Sequence, residues 1–455
     1  MSELLLRKSL FPMCFRSSSD SVSATAREPV QEAPDYLSRQ LITYLGNKRS
    51  LLPQLSEAVE RVKARLGKDK LEVFDAFSGS GVVSRMLKAH ASRLISNDLE
   101  EYAAVIGRCF LRNHSEVDWT ALQDIVDALN QRVEEVEAKR RRLAAKAARR
   151  VRARDGTQQI GGTGQAPNGQ ELGGTGQAPN GQELGGTGQA PNGQEVELEP
   201  GFIEELYAPQ DDEHIQAGER VFYTRSNARR LDNYRRLIAS APTELQDLLL
   251  GPLLSAASIH ANTAGVFKGF YKNRHTGVGQ FGGTGRDALE RIRAQISLQV
   301  PVSSRFECLV EVRREDANTL APSLRGLDLA YLDPPYNQHP YGSNYFMLNL
   351  LTRYQRPSVL SPVSGIPHDW QRSDYNVRKR HAALLTQLLD ALDAPFVLLS
   401  FNNEGFIPPA RIQELLSARG KVEVIRTPYN AFRGSRSFER RPIHVTECMY
   451  LLEKH

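Results

Sequence analysis

Two tryptophans, five methionines and four cysteines in 455 residues leave the chain poor in thiol chemistry and in large aromatic surface. Cys14, Cys109, Cys308 and Cys448 lie far apart and form no C-x-x-C pair. Neither a zinc knuckle nor a disulfide framework is encoded; no metal is expected, and a reducing, cytoplasmic setting fits best. No stretch approaches the roughly 18 consecutive apolar residues that a spanning helix needs, which excludes a transmembrane protein and a membrane partner. Neither sign of charge dominates: 58 Lys and Arg against 53 Asp and Glu give a net charge of +5, which permits a polyanionic partner without requiring one. The length accommodates two or three domains and at least one sizeable core.

The text that is present divides unevenly. Residues 1–35 are rich in Ser, Pro and charge without apolar periodicity, so a disordered leader is expected rather than a targeting segment, with folding starting near Leu41. From Leu71, LEVFDAF reads as a buried strand, GVVSRMLKAHA as a helix, RLISND as a second strand and LEEYAAVIGRCFLRN as a helix, the beginning of an α/β fold with a parallel sheet. Trp119 to Arg154 reads as a long charged helix ending in KRRRLAAKAARRVRAR; a solvated helix leading into a linker is favoured over a nucleic-acid-facing one. The unit GGTGQAPNGQEL then occurs at 161–172, at 173–184 and a third time to Glu195, with Val196 in place of the final Leu. Each unit is too poor in apolar residues to stack, so a flexible spacer is expected. Helical patterns follow at 227–240 and 243–261, then a Gly-rich aromatic stretch and a helix through Leu298. Strands return as FECLVEV, LDLAYLD, PFVLLSF and HVTECMYLLE, interleaved with helices near Tyr345, near His381 and from Pro408. The two α/β blocks are expected to complete one sheet around the inserted middle.

Three short stretches carry chemistry. Asp333-Pro334-Pro335-Tyr336 follows the apolar strand LDLAYL directly, which puts its acid beyond a strand's carboxyl end, where ligands bind in open α/β sheets. Two consecutive prolines remove two donors and fix two φ angles, leaving a stiff turn that presents carbonyl acceptors beside the carboxylate, suited to an exocyclic amine. Tyr336 adds a face on which a planar base can stack. The plainer alternative is a rigid loop with a helix-capping Asp. Phe77-Ser-Gly79-Ser-Gly81 likewise follows a strand and opens a helix, and Asp98, seventeen residues past Gly81, ends the next strand where it can accept from ribose hydroxyls. That pair points to a nucleoside cofactor without separating a dinucleotide from S-adenosylmethionine. The third stretch, Tyr44-Leu-Gly46-Asn47-Lys48-Arg-Ser-Leu-Leu52, taken alone is equally a helix cap.

In this order, YLGNKRSLL, FSGSG, Asp98, DPPY and the later Leu399-Ser400-Phe401-Asn402-Asn403-Glu404-Gly405 resemble the Dam-like, alpha-type DNA adenine-N6 methyltransferases. The DPPY motif alone also occurs in cytosine-N4 and RNA methyltransferases. The resemblance implies a Rossmann-like α/β sheet dependent on S-adenosylmethionine, with an inserted target-recognition region. It divides the chain into a cofactor part at 36–120, the charged helix and spacer at 121–200, target recognition at 201–300 and a catalytic part at 301–455. Position by position it implies that Tyr44 and Lys48 line the cofactor pocket, that Phe77, Gly79 and Gly81 cradle the methionine end, that Asp98 holds the ribose and that Asp316 lies near the adenine. Asp333, Pro334, Pro335 and Tyr336 form the catalytic motif, with Asp333 also facing the cofactor. Phe401 stands where the family usually has tyrosine. Duplex DNA is the implied partner, with a cognate restriction endonuclease in the same system, and the oligomeric state is left open. DNA reading is expected at Gly265 to Arg286, where aromatics alternate with basic residues: Lys268, Phe270, Tyr271, Lys272 and Arg274. A further basic stretch adds Arg433 and Arg436. The competing reading of both is a solvated surface loop.

Overall fold

The computed structural model describes residues 31–158, 200–283, 288–430 and 444–455. Residues 1–30, the tandem repeats, and Arg433 and Arg436 therefore lie outside the described residues. Seven strands, β1 (Leu71–Asp75), β2 (Ala91–Asn97), β3 (Leu309–Arg313), β4 (Leu329–Leu332), β5 (Phe396–Asn402), β6 (Gly420–Asn430) and β7 (His444–Lys454), form one sheet in the order β3-β2-β1-β4-β5-β7-β6. The two α/β blocks do complete a single sheet. The first five strands pair in parallel, and β7 runs antiparallel between β5 and β6. From β1 the chain proceeds outward to β2 and β3, then returns to β4 on the opposite side of β1. The carboxyl ends of β1 and β4 thus flank the point where the winding reverses, which is where such sheets open a crevice.

The helices that matter to the site are α1 (Leu52–Leu66), α2 (Val82–Lys88), α3 (Glu101–Phe110), α4 (Trp119–Gln158), α5 (Arg225–Ala239), α6 (Thr243–Ile259), α7 (Phe346–Arg353), α8 (Arg378–Ala391) and α9 (Pro409–Ser417). The central strands are buried on both faces, which explains why they read as continuous apolar runs. Val73, Leu94, Leu329 and Leu398 face α1 and α2. Phe74, Ile95, Ala330 and Val397, one residue out of phase, face α8 and α9. A third apolar core joins α3, the first half of α4, α5, α6 and α7, so the 201–300 region packs directly on α3, α4 and α7.

Helix α4 has two halves. Leu122, Ile125, Leu129, Val133 and Val136 recur at helical spacing and are buried. Ion pairs Glu134–Arg230, Glu137–Arg229 and Arg140–Glu204 tie that half to its neighbours. Residues 141–146 beyond it are exposed.

Three boundaries differ from the sequence reading. Ordered structure is present well before Leu41: Tyr36 is buried, and its hydroxyl donates to the Phe110 carbonyl at 2.6 Å. The helix expected through Leu298 stops at Arg293, because the Asn227 amide takes the carbonyls of Ile292 and Ala294 while Asn227 and Asn130 accept from the N–H groups of Ile296 and Leu298. The strand expected from Phe306 begins at Leu309, because the Asn113 amide occupies both backbone groups of Cys308.

Candidate active site

Strand β1 ends at Asp75 and the chain turns through Phe77 to Gly81. Gly79 and Gly81 have φ of 52° and 73°, a left-handed region that costs any other residue roughly 1–2 kcal/mol. Gly79 has a second reason to be glycine: a Cβ there would lie 2.7 Å from the Tyr44 hydroxyl. Asp98, just beyond β2, is tied to this loop. Its Oδ2 accepts from Gly79 N–H at 2.7 Å and its Oδ1 from Glu100 N–H at 2.9 Å. Burial raises its pKa, opposed by these backbone donors. Each oxygen keeps lone-pair capacity for a further donor.

Tyr44 is held by a stack of rings, its centroid 5.0 Å from Tyr341 and 4.9 Å from Tyr345 with interplanar angles of 14° and 16°. The Tyr345 hydroxyl accepts from Leu45 N–H at 2.7 Å, and the Tyr341 hydroxyl donates to the Leu45 carbonyl at 3.2 Å. The segment after the Pro-Pro turn thereby clamps the first motif against the glycine loop.

At the tip of β4, Lys48 Nζ lies 3.1 Å from Asp333 Oδ1 and 2.9 Å from Glu447 Oε1. Glu447, on β7, also accepts from Ser400 Oγ at 2.9 Å. Burial disfavours the Lys48 ammonium, but the two carboxylates outweigh it and raise its pKa well above the usual lysine range. Burial pushes Asp333 up to about 6: Lys48 pulls the group down, while Glu447 pushes it up. One lysine shared by two carboxylates leaves Asp333 incompletely neutralised, and its side chain, 20% exposed, opens onto the cleft.

The turn itself is pinned on one side. The Pro335 carbonyl accepts from His381 Nε2 at 2.9 Å, the Tyr336 carbonyl from Phe406 N–H at 2.9 Å and the Asn337 carbonyl from Asn376 Nδ2 at 2.8 Å. No described residue donates to the Pro334 carbonyl. Asp333 accepts from no helix N–H among the described residues; its Oδ1 is ion-paired with Lys48.

One cleft joins these parts. Tyr44, Lys48, Phe77, Gly79, Asp98, Asp316, Asp333 and Pro335 all line it. Gly81, at the start of α2, is not among the lining residues, although its neighbours Ser80 and Val82 are. Pro334 is buried, and Tyr336 packs beside the cleft with its ring 5.6 Å from Phe401. Asp316 accepts from the N–H groups of Asn318 and Thr319 at the rim. The cleft thus brings an acid at one strand tip to face a glycine loop and a second acid at the neighbouring tips. With that geometry in place, a family model for D12 class N6 adenine-specific DNA methyltransferases matches residues 44–146 and 206–389.

The chain belongs to that class. Among relatives, the type II methyltransferase M.NlaIII of Neisseria lactamica is 24% identical over 424 residues, covering 91% of this chain and 99% of its own length. The type II methyltransferase M.CviAII of Paramecium bursaria Chlorella virus 1 is 28% identical over 239 residues, 51% of this chain and 65% of its own length. The type II methyltransferase M.FokI of Planomicrobium okeanokoites is 24% identical over 245 residues, 52% of this chain and 35% of its own length. No described helix of this D12-class chain is long and apolar enough to cross a membrane.

Of the stretch expected to read DNA, 284–286 lie outside the described residues and 272–279 form a tight hairpin outside the cleft, with Lys272 bridged to Gly279 and Asn273 N–H donating to the Val278 carbonyl at 2.8 Å. Lys268, Lys272 and Arg274 are exposed along this stretch. Phe270 and Tyr271 are partly buried; Phe270 packs edge-on against Phe222 at 5.2 Å, and Lys272 lies 5.1 Å over its ring. The buried Asn262 amide fastens the hairpin by donating to the Val221 and Gln280 carbonyls and accepting from Gly282 N–H.

Several site residues were not singled out from the sequence. Gln371, Ser373, Tyr375 and Asn376 line the cleft from the segment before α8, which ends in the single 3-10 turn Asp374–Asn376 and has no periodicity to mark it. Glu447 left a readable signal: it shares strand phase with Met449 and Leu451, so an acid stood where an apolar residue was expected.

Proposed function

We propose that this chain transfers a methyl group from S-adenosylmethionine to the N6 amine of an adenine extruded from duplex DNA, as the modification half of a type II restriction-modification system. The observation that carries the reading is the convergence of Asp333 and the Gly79–Asp98 pair on one cleft. The residues fit the donor. Asp98 has lone pairs left for ribose hydroxyls, Gly79 admits close backbone approach, and Asn376 turns a buried amide oxygen without a partner toward the same wall. When bound, the donor supplies a sulfonium-activated methyl group.

The chain's own residues address the other half of the problem, an amine whose lone pair is delocalised into the purine ring. Asp333 Oδ2 and the Pro334 carbonyl accept its two hydrogens, favouring a pyramidal, nucleophilic nitrogen. Lys48 fixes the carboxylate through Oδ1 without spending the whole group. As the new N–C bond forms, the amine's surplus proton passes to Asp333, whose pKa of about 6 suits a group that must accept it and release it to water. Tyr336, braced on Phe401, offers a ring face to the extruded base and offsets part of the few kcal/mol that unstacking costs. Lys268, Lys272 and Arg274 neutralise backbone phosphates.

The test is methylation of duplex DNA by the full chain with labelled donor, followed by digestion and nucleoside mass spectrometry. The expected product is N6-methyladenine at one recurring sequence. N4-methylcytosine, or label in RNA with none in duplex DNA, would overturn the assignment. Methylome sequencing of an expressing host, followed by challenge with an endonuclease cutting at the methylated sequence, tests the protective role.

A further inference from the structure

The imidazole of His381, on α8, is fully buried, and its Nε2 lies 2.9 Å from the Pro335 carbonyl. A carbonyl can only accept, so Nε2 carries the proton and, in the neutral ring, Nδ1 is a bare lone pair; that atom is buried with no partner. Three rings meet the imidazole edge-on: Tyr375 at 5.4 Å, Phe401 at 5.6 Å and Phe406 at 5.8 Å. Each leads to a working part of the site. Tyr375 lines the cleft and packs edge-on against Phe77 of the glycine loop. Phe401 braces Tyr336, and Phe406 donates its N–H to the Tyr336 carbonyl.

We infer that His381 is a positioning residue for methyl transfer, whose Nε2–H anchors the Pro335 carbonyl and so fixes the direction of the Pro334 carbonyl and the Asp333 carboxylate. The inference rests on the reading of Asp333 to Tyr336 as the catalytic turn. Consecutive prolines fix φ but leave ψ free, and neither proline nitrogen can donate, so the turn has no hydrogen bond of its own to set the second angle. An anchored Pro335 carbonyl sets that residue's peptide plane, and with it the orientation of the turn it terminates. Imidazole suits the task because its donor is carried on a rigid ring that three neighbours orient. Burial also pushes its pKa down to about 4, which keeps the ring neutral and its lone donor committed.

The experiment compares His381→Gln, whose amide can place a donor near Nε2, with His381→Met, of similar length and no donor. Both are measured in the full chain beside Asp333→Ala. The expected result is a kcat lowered about tenfold or more in His381→Met, with KM for donor and DNA within about twofold of wild type, and most of that loss recovered in His381→Gln. A residue that only fills the core would move melting temperature without this split. Should the Met variant fail to fold, His381→Phe, which keeps a ring among its neighbours, replaces it in the comparison. Wild-type kcat in the donorless variant, or equal loss in the Gln and donorless variants, overturns the inference. Turnover retained in Asp333→Ala would instead overturn the underlying reading of the turn.

Discussion

At the scale of single residues, the site is governed by one buried ammonium between two carboxylates. Asp333→Ala removes the acceptor and is expected to lower kcat by at least about a thousandfold while DNA binding by gel shift stays near wild type. Turnover within tenfold of wild type would exclude Asp333 from the chemistry. With Asp333 near 6, the carboxylate form is lost as pH falls, so single-turnover rates should rise through about pH 6 to a plateau above it. Glu447→Gln takes away the negative charge that raises Asp333 and leaves Lys48 to that carboxylate alone. The acid limb of the profile should then move to lower pH. A limb that stays in place or moves upward would show that the Glu447 charge does not raise Asp333.

At the scale of elements, the glycine loop and the basic hairpin make separable demands. Gly79→Ala meets both a positive φ and the Tyr44 ring, whereas Gly67→Ala, at φ 64° with open space around it, meets only the first. Gly67→Ala should lose about 1 kcal/mol of stability by denaturant titration and Gly79→Ala more than that, and only Gly79→Ala should also raise the KM for the methyl donor. Equal donor affinity in the two would remove the loop from the cofactor site. Replacing Lys268, Lys272 and Arg274 together by alanine should flatten the plot of log affinity against log salt by about 2 to 3, the number expected for three lost phosphate contacts. An unchanged slope would place the DNA elsewhere.

What was legible in the sequence follows the same physics. LEVFDAF, LDLAYL and PFVLLSF read as strands because burial on both faces leaves no polar phase, and the turns after the first two line the cleft. Boundaries failed where side chains replaced backbone partners, as Asn227 and Asn130 do beyond Arg293 and Asn113 does at Cys308, since no local pattern encodes a partner more than sixty residues away. His381 was invisible as an anchor for the same reason: on an amphipathic helix it reads as one more core position, and only the fold reveals the carbonyl it meets.

At the scale of the whole molecule, the inserted middle is unequal in its parts. Residues 202–298 share an apolar core with α3 and α7 and cannot be removed without exposing it. The tandem units carry almost nothing to bury and no titratable cluster. Deleting two of them, residues 161–184, should leave kcat and the DNA KM within about twofold of wild type; a dead or unfolded deletion would assign the repeats a structural task.

The placement of β7 has a consequence for synthesis. Strand β6 leaves the ribosome before β7 but has no neighbour in the sheet except β7, and the same late strand brings Glu447 to Lys48. A nascent polypeptide ending at Asn430 could already shape the donor crevice, yet its lysine would have a single counter-ion and its sheet would stop at β5. The finished sheet, with β6 paired and both carboxylates on Lys48, therefore waits for translation past Glu447.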